Sequence, residues 1–254
     1  MTENENRIDN VTAILLGAGS GRRMGMPVPK QYLPLCGKPL IAHSLSVFLR
    51  SSVISDIVMV VPAGDEDFVK EEIVLPEVRG CGGEGTGKVR AVIPGGDERW
   101  NSVAAGIGAV SWPCGYIFIH DGARPLITEE SLQLLHGEVL EDGAVIAGMP
   151  SKDTVKLTRS GGWIDSTPDR RSVWTAQTPQ CFDFELIRDA YARLEKRHGV
   201  LDIPVTDDAM VVETMMGRKV RMVPCGYANI KVTTPEDMAI AEALIRMNAR
   251  QEND

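Results

Sequence analysis

Val11–Leu16, VTAILL, followed by GAGSGRRMG at residues 17–25 and Pro29-Lys30-Gln31-Tyr32, decides how the rest of the chain is read. Six apolar or β-branched residues in a row suit a strand buried on both faces. A strand that opens into a glycine-rich loop turns backbone N–H groups toward an anion. Arg22, Arg23 and Lys30 add positive charge to the same loop. Cations crowded this closely repel one another unless an anion lies between them. A nucleoside triphosphate is the natural occupant. The loop lacks the third glycine of a dinucleotide fingerprint: that position is Arg22 counted from Gly17 and Met24 counted from Gly19. It also lacks the Gly-Lys-Ser/Thr of a Walker loop.

Outward from this strand, apolar runs at residues 57–61, 89–93, 116–120, 144–148 and 220–223 read as further strands. Helical periodicity falls at 39–49, 65–74, 100–110, 129–141, 184–196, 207–216 and 235–248. Thr128 before two glutamates, and Thr234-Pro235-Glu236-Asp237, carry helix-start chemistry. Alternation of strand and helix predicts an α/β fold, a mostly parallel sheet with helices on both faces. Ligands then bind beyond the carboxyl ends of the strands, which nominates the residues that follow each one.

Gly96, Asp97 and Ser102 follow one strand, where the glycines allow close approach of a base or ribose. Asp121 and Arg124 follow another and suit hydroxyls or a metal and a phosphate. His120 reads as a satisfied strand-end residue. Lys231, before the last helix, is placed to reach a phosphate. Residues 175–180 read as a polar turn entering a helix, Thr206-Asp207-Asp208-Ala209 as a capped helix start, and the glycine-rich stretch 79–88 as a flexible surface loop. The alternation at 154–158, the turn at Ser160-Gly161-Gly162 and Trp163-Ile164-Asp165 predict a hairpin projecting from the body. A lone hairpin is marginally stable, so it is expected to pack on something, a second copy of the chain being a good candidate.

The chain has 254 residues, 43% hydrophobic and 24% charged, with a net charge of −8. That length suits one large domain or two small ones, and the chain is read as one over 1–254 with the arm at about 151–172; the acidic balance argues against nucleic-acid and acidic-membrane partners. Five scattered cysteines and four scattered histidines offer neither a zinc site nor a disulfide framework. The polar N-terminus lacks an apolar signal core and no segment is long enough to span a membrane, so a cytoplasmic protein is expected.

Eight stretches, in order over residues 11–245, resemble one family. They are GAGSGRRMG, PKQYLPLCGKPLIAHSL, GGDERWNSV, HDGARPL, KDTVK, DRRSVWTAQTPQ, TDDA and NIKVTTPEDMAIAE. The family is the 2-C-methyl-D-erythritol 4-phosphate cytidylyltransferases. The resemblance implies a Rossmann-like nucleotidyltransferase fold, a homodimer joined by hairpin arms, and Mg2+. It implies transfer of a cytidylyl group from CTP to methylerythritol 4-phosphate, with Arg23 and Lys30 as catalytic cations. Ala18, Gly19, Gly21, Gly96, Asp97, Ser102 and Lys231 match CTP contacts. Asp121, Arg124, Thr154, Arg170, Thr178 and Thr206 match positions that place the sugar phosphate, several of them across the dimer. The chain departs from the family pattern at Leu16-Gly17, at Ser151-Lys152 and at Ala228, where many members carry aspartate. Ribitol 5-phosphate cytidylyltransferase is the nearest rival, and a nicotinamide-dependent oxidoreductase is the rival from another class.

Overall fold

A computed structural model describes residues 8–19, 28–83, 85–197 and 205–251. Its strands are β1 (Val11–Leu16), β2 (Pro34–Leu35), β3 (Lys38–Pro39), β4 (Ile54–Val61), β5 (Val89–Pro94), β6 (Tyr116–Asp121), β7 (Ala144–Pro150), β8 (Leu157–Thr158), β9 (Ile164–Ser166), β10 (Trp174–Asp183) and β11 (Arg221–Pro224). Its α-helices are α1 (Leu40–Arg50), α2 (Glu66–Val69), α3 (Leu75–Gly80), α4 (Arg99–Gly108), α5 (Glu129–Asp142), α6 (Phe184–Arg197), α7 (Asp208–Met216) and α8 (Pro235–Gln251). A wider helical turn, Lys70–Val74, joins α2 to α3.

Seven strands form one sheet in the order β11-β7-β10-β6-β1-β4-β5. All of its pairings are parallel except the two made by β10. Alternation along the buried strands divides the core. Ala13, Leu15 and Phe118 face one layer with Phe48 of α1 and Leu135 of α5. Ile14, Ile117 and Ile119 face the other with Val103 of α4, Ile187 of α6 and Val212 of α7. This is the α/β fold read from the sequence, with helices on both faces.

Two expectations are corrected. Residues 175–180 are not a polar turn entering a helix; they lie within β10, between β7 and β6. The strand carries buried Gln177, Thr178 and Gln180, whose side chains bond to protein groups instead of water, so its apolar pattern is broken. Pro179 is tolerated because Ala176 and Gln180 pair with Gly148 and Ile146, leaving the ladder irregular between them. Residues 34–39 form a short hairpin turning at Cys36 and Gly37, whose φ angles are 48° and 89°; two residues a strand are too few to show a period. The second correction is to the stretch read as loop: α3 runs into it as far as Gly80.

The sheet reverses direction of growth between β1 and β6, and α1 closes over that point. A Cβ on Gly122 would lie 2.8 Å from Ile41 Cγ1 and 2.9 Å from the Leu16 carbonyl oxygen. Gly122→Ala must therefore move backbone, and a loss of about 1–3 kcal/mol is expected. Urea unfolding checks it; an unchanged midpoint would contradict this packing.

Candidate active site

The carboxyl ends of β1, β5 and β6 open into a cavity of about 510 Å³. It lies at the switch point, as expected of an open α/β sheet, and its size suits a small-molecule ligand. Leu16, Gly17, Ala18 and Gly19 line it from β1, Gly96 to Arg99 and Ser102 from the start of α4, and Asp121 and Ala123 from β6. Lys30, Gln31, Lys231 and Thr233 complete the wall.

Local structure explains these placements. Glu98 and Asn101 form a reciprocal capping box at the start of α4. Ser102, one position further, accepts from the Gly96 N–H at 3.2 Å and so fixes the loop before the helix. Lys30 sits in a single turn, Lys30–Tyr32, and its Nζ donates to the Val232 carbonyl at 3.0 Å. The Tyr32 hydroxyl donates to Asp65 at 3.0 Å and its ring meets Phe68 edge-on, tying that turn to α2. Asp237 accepts from the N–H groups of Thr233 and Thr234, which caps α8 beside Lys231.

The charged floor is a connected network. Lys231 Nζ donates to Asp121 Oδ2 at 2.5 Å. Arg99 Nε donates to Asp121 Oδ1 at 3.2 Å, and both Nη atoms donate to Asp208 at 2.8 Å. Burial pushes the Asp121 carboxyl up, but Arg99, Lys231 and Arg124 together outweigh it and hold the group well below the usual carboxylate range. Burial likewise works against the Arg99 charge, and Asp208 with Asp121 reverses the balance, raising its pKa.

Eight of the residues expected at the site meet in this cavity: Ala18, Gly19, Lys30, Gly96, Asp97, Ser102, Asp121 and Lys231. Gly21 and Arg23 lie outside the described residues. The others do not line it. Arg124 is buried and donates to the carbonyls of Asn229 at 2.8 Å and Ala176 at 3.4 Å, where a phosphate contact was expected. Thr178 Oγ1 accepts from the Asp121 N–H at 3.0 Å and meets His120 Nδ1 at 3.1 Å. Thr154 and Arg170 are exposed on the arm, and Thr206 is exposed before α7. Arg99 and its partner Asp208 were missed, because residues 109 apart show no spacing signal.

His120 is the satisfied strand-end residue expected: it is buried, with its second nitrogen on the Arg124 carbonyl at 3.1 Å. Burial pushes its pKa down from 6.5 to about 4. The unfolded chain therefore binds the extra proton first as pH falls. Stability is expected to drop by about 3 kcal/mol between pH 6.5 and pH 4 from this group, and to lose nothing further from it below. Urea midpoints across that range check the sign; a profile that rises on acidification would contradict it.

Among the described residues no three His, Cys, Asp or Glu side chains gather as a metal cage. Asp121 is tied to two cations, and Glu98 caps α4 and accepts from Trp100 Nε1 at 2.5 Å. Asp97 is the exposed carboxylate left on the cavity wall.

Comparison with known proteins agrees with the geometry. Residues 11–247 match the family model for 2-C-methyl-D-erythritol 4-phosphate cytidylyltransferase. A protein of that name from Lachnoclostridium phytofermentans is 44% identical over 94% of this chain and 97% of its own length. One from Lachnospira eligens is 42% identical over 92% of this chain and 99% of its own. The crystal structure of 4-diphosphocytidyl-2C-methyl-D-erythritol synthase from Anaerococcus prevotii superposes with a TM-score of 0.77 at 32% identity, covering 94% of this chain and 96% of that one. The strand-end cavity with its lysines and the near full-length match lead to one conclusion: the chain belongs to the 2-C-methyl-D-erythritol 4-phosphate cytidylyltransferase family.

Proposed function

We infer that the protein transfers the cytidylyl group of CTP to the phosphate of 2-C-methyl-D-erythritol 4-phosphate, releasing pyrophosphate and giving 4-diphosphocytidyl-2-C-methyl-D-erythritol. The observation that carries this is the meeting, in one strand-end cavity, of the β1 glycine loop, the Gly96-Asp97 turn, Lys30 and Lys231 on a chain of this family. A phosphate oxygen of the acceptor attacks the α-phosphorus of CTP, and the bond to the β-phosphate oxygen breaks. Both reactants are anions, so alignment and charge compensation supply most of the catalysis. Lys30, with Arg23, stabilises the charge that develops on the α-phosphoryl oxygens. Lys231, on the wall of the same cavity, contacts the CTP phosphates. The acceptor is already ionised near neutral pH and needs no general base, which accords with the burial of His120.

Mg2+ fits this donor set as a partner of the triphosphate, because it takes few protein carboxylates and keeps phosphate and water ligands. Asp97 would hold it. When bound, the ion neutralises charge on the phosphates.

The same reading makes the protein a single-domain homodimer joined by its arms. The main sheet draws on strands from both ends of the chain. Thr154 and Arg170, exposed on the arm and away from the cavity, would serve the site of the second copy. Cytoplasmic residence is supported by five cysteines that are all free thiols; among the described residues no helix is long and apolar enough to cross a membrane.

Calorimetric binding in the presence of Mg2+ tests the ligand class. CTP is expected to bind more tightly than ATP or GTP, and NADH not to bind. Preference for NADH would overturn the reading in favour of an oxidoreductase.

A further inference from the structure

Arg99 stands in the cavity wall, yet all three of its guanidinium nitrogens donate to protein carboxylates. Two go to Asp208, which is fully buried. Asp208 Oδ1 also accepts from the Tyr191 hydroxyl at 2.6 Å, and its backbone N–H donates to the Gln180 side chain at 2.9 Å. The deep end of the pair is thus held from α6, α7 and β10 at once. Such a buried ion pair is a poor source of stability, because desolvation of both charges offsets most of their attraction. What it supplies is direction. A guanidinium is planar, so a bidentate bond through both Nη atoms fixes where Nε–H points. It points to Asp121 Oδ1, and the other oxygen of that carboxylate receives Lys231.

We propose that Arg99 is a positioning residue for the cytidylyl transfer: locked onto Asp208, it orients the Asp121 carboxylate and, through it, the Lys231 ammonium. The role rests on the function proposed above. Arg99 acts through Asp121 and Lys231 and needs no contact with substrate. Lysine at this position keeps the charge but cannot bridge two carboxylates in a fixed plane.

The test is the pair of variants Arg99→Lys and Arg99→Met/Asp208→Leu, assayed for kcat and KM alongside the wild type. The double variant removes the buried Asp208 charge together with its half-buried partner, so its Tm is expected to stay within about 4 °C of wild type. Its kcat is expected to fall about 10²-fold, as for a misplacement of about 1 Å. Arg99→Lys is expected to lose at least about tenfold. A purely structural role predicts that restored stability restores kcat, and that result overturns the proposal. If the double variant fails to fold, Tyr191→Phe, which deletes one hydroxyl bonded to Asp208, takes its place: a lower kcat supports the proposal and wild-type kinetics overturn it. Ligand-free crystal structures of wild type and the variant that folds read placement without turnover. Displacement of Asp121 and Lys231 supports the proposal, and superposable side chains overturn it. A wild type that does not turn over CTP with methylerythritol 4-phosphate would overturn the functional reading and leave this structural comparison to decide the positioning claim.

Discussion

Lys30→Ala is expected to lower turnover by about two to three orders of magnitude, the usual cost of removing a preorganised stabiliser of developing charge. The side chain is placed by a short turn that does not depend on its ammonium. Tyr32 anchors that turn through Asp65 and Phe68, and the Leu33 N–H donates to the Lys30 carbonyl. The variant should therefore fold, and its loss should appear in kcat more than in CTP binding. Lys30 Nζ donates to the Val232 carbonyl, a neutral acceptor that a phosphate oxygen can displace. Steady-state kinetics with matched thermal melts checks this. Turnover within about threefold of wild type, in a folded variant, would remove Lys30 from the catalytic role.

Trp163→Glu is expected to break the proposed dimer. The arm offers Trp163 at 80% exposure, Ile164 at 63% and Leu157 at 52%, on a hairpin of only two short strands. A pair of strands this small does not stand on its own in water. Burying a large apolar side chain is worth roughly 1.5–3 kcal/mol, and a two-fold interface counts it twice. The expected loss of roughly 3–6 kcal/mol weakens the dimer constant by about 10²- to 10⁴-fold. Sedimentation at micromolar protein should show wild-type dimers and monomeric variant, with activity falling in parallel because Thr154 and Arg170 leave the second site. A wild type that sediments as a monomer would refute the arm's role, as would a variant that remains dimeric.

The strands that build the site were readable because burial on both faces makes them nearly continuous apolar runs. β1 ends at Leu16 as the sequence indicates, and β6 was placed to within one residue, which put Asp121 at the strand end. β10 was not readable, since its middle is Gln177, Thr178, Pro179 and Gln180. These polar groups are satisfied by Gly226, Asp121 and Asp207, partners that exist only after folding. Charge was legible in kind but not in partner. Arg124 suggested a phosphate, and its bonds to the Asn229 and Ala176 carbonyls had no signal in the sequence. Arg99 suggested nothing, and it joins Asp121 to Asp208 across three separate elements. A run of sequence shows which groups are present near a loop; it does not show which of them folding will neutralise.

The most direct test of the account is pyrophosphate release by the purified protein with CTP and Mg2+, comparing methylerythritol 4-phosphate with ribitol 5-phosphate. Release dependent on methylerythritol 4-phosphate, with ribitol 5-phosphate near background, is the predicted result. Release with ribitol 5-phosphate alone, or with neither acceptor in folded protein, would contradict it.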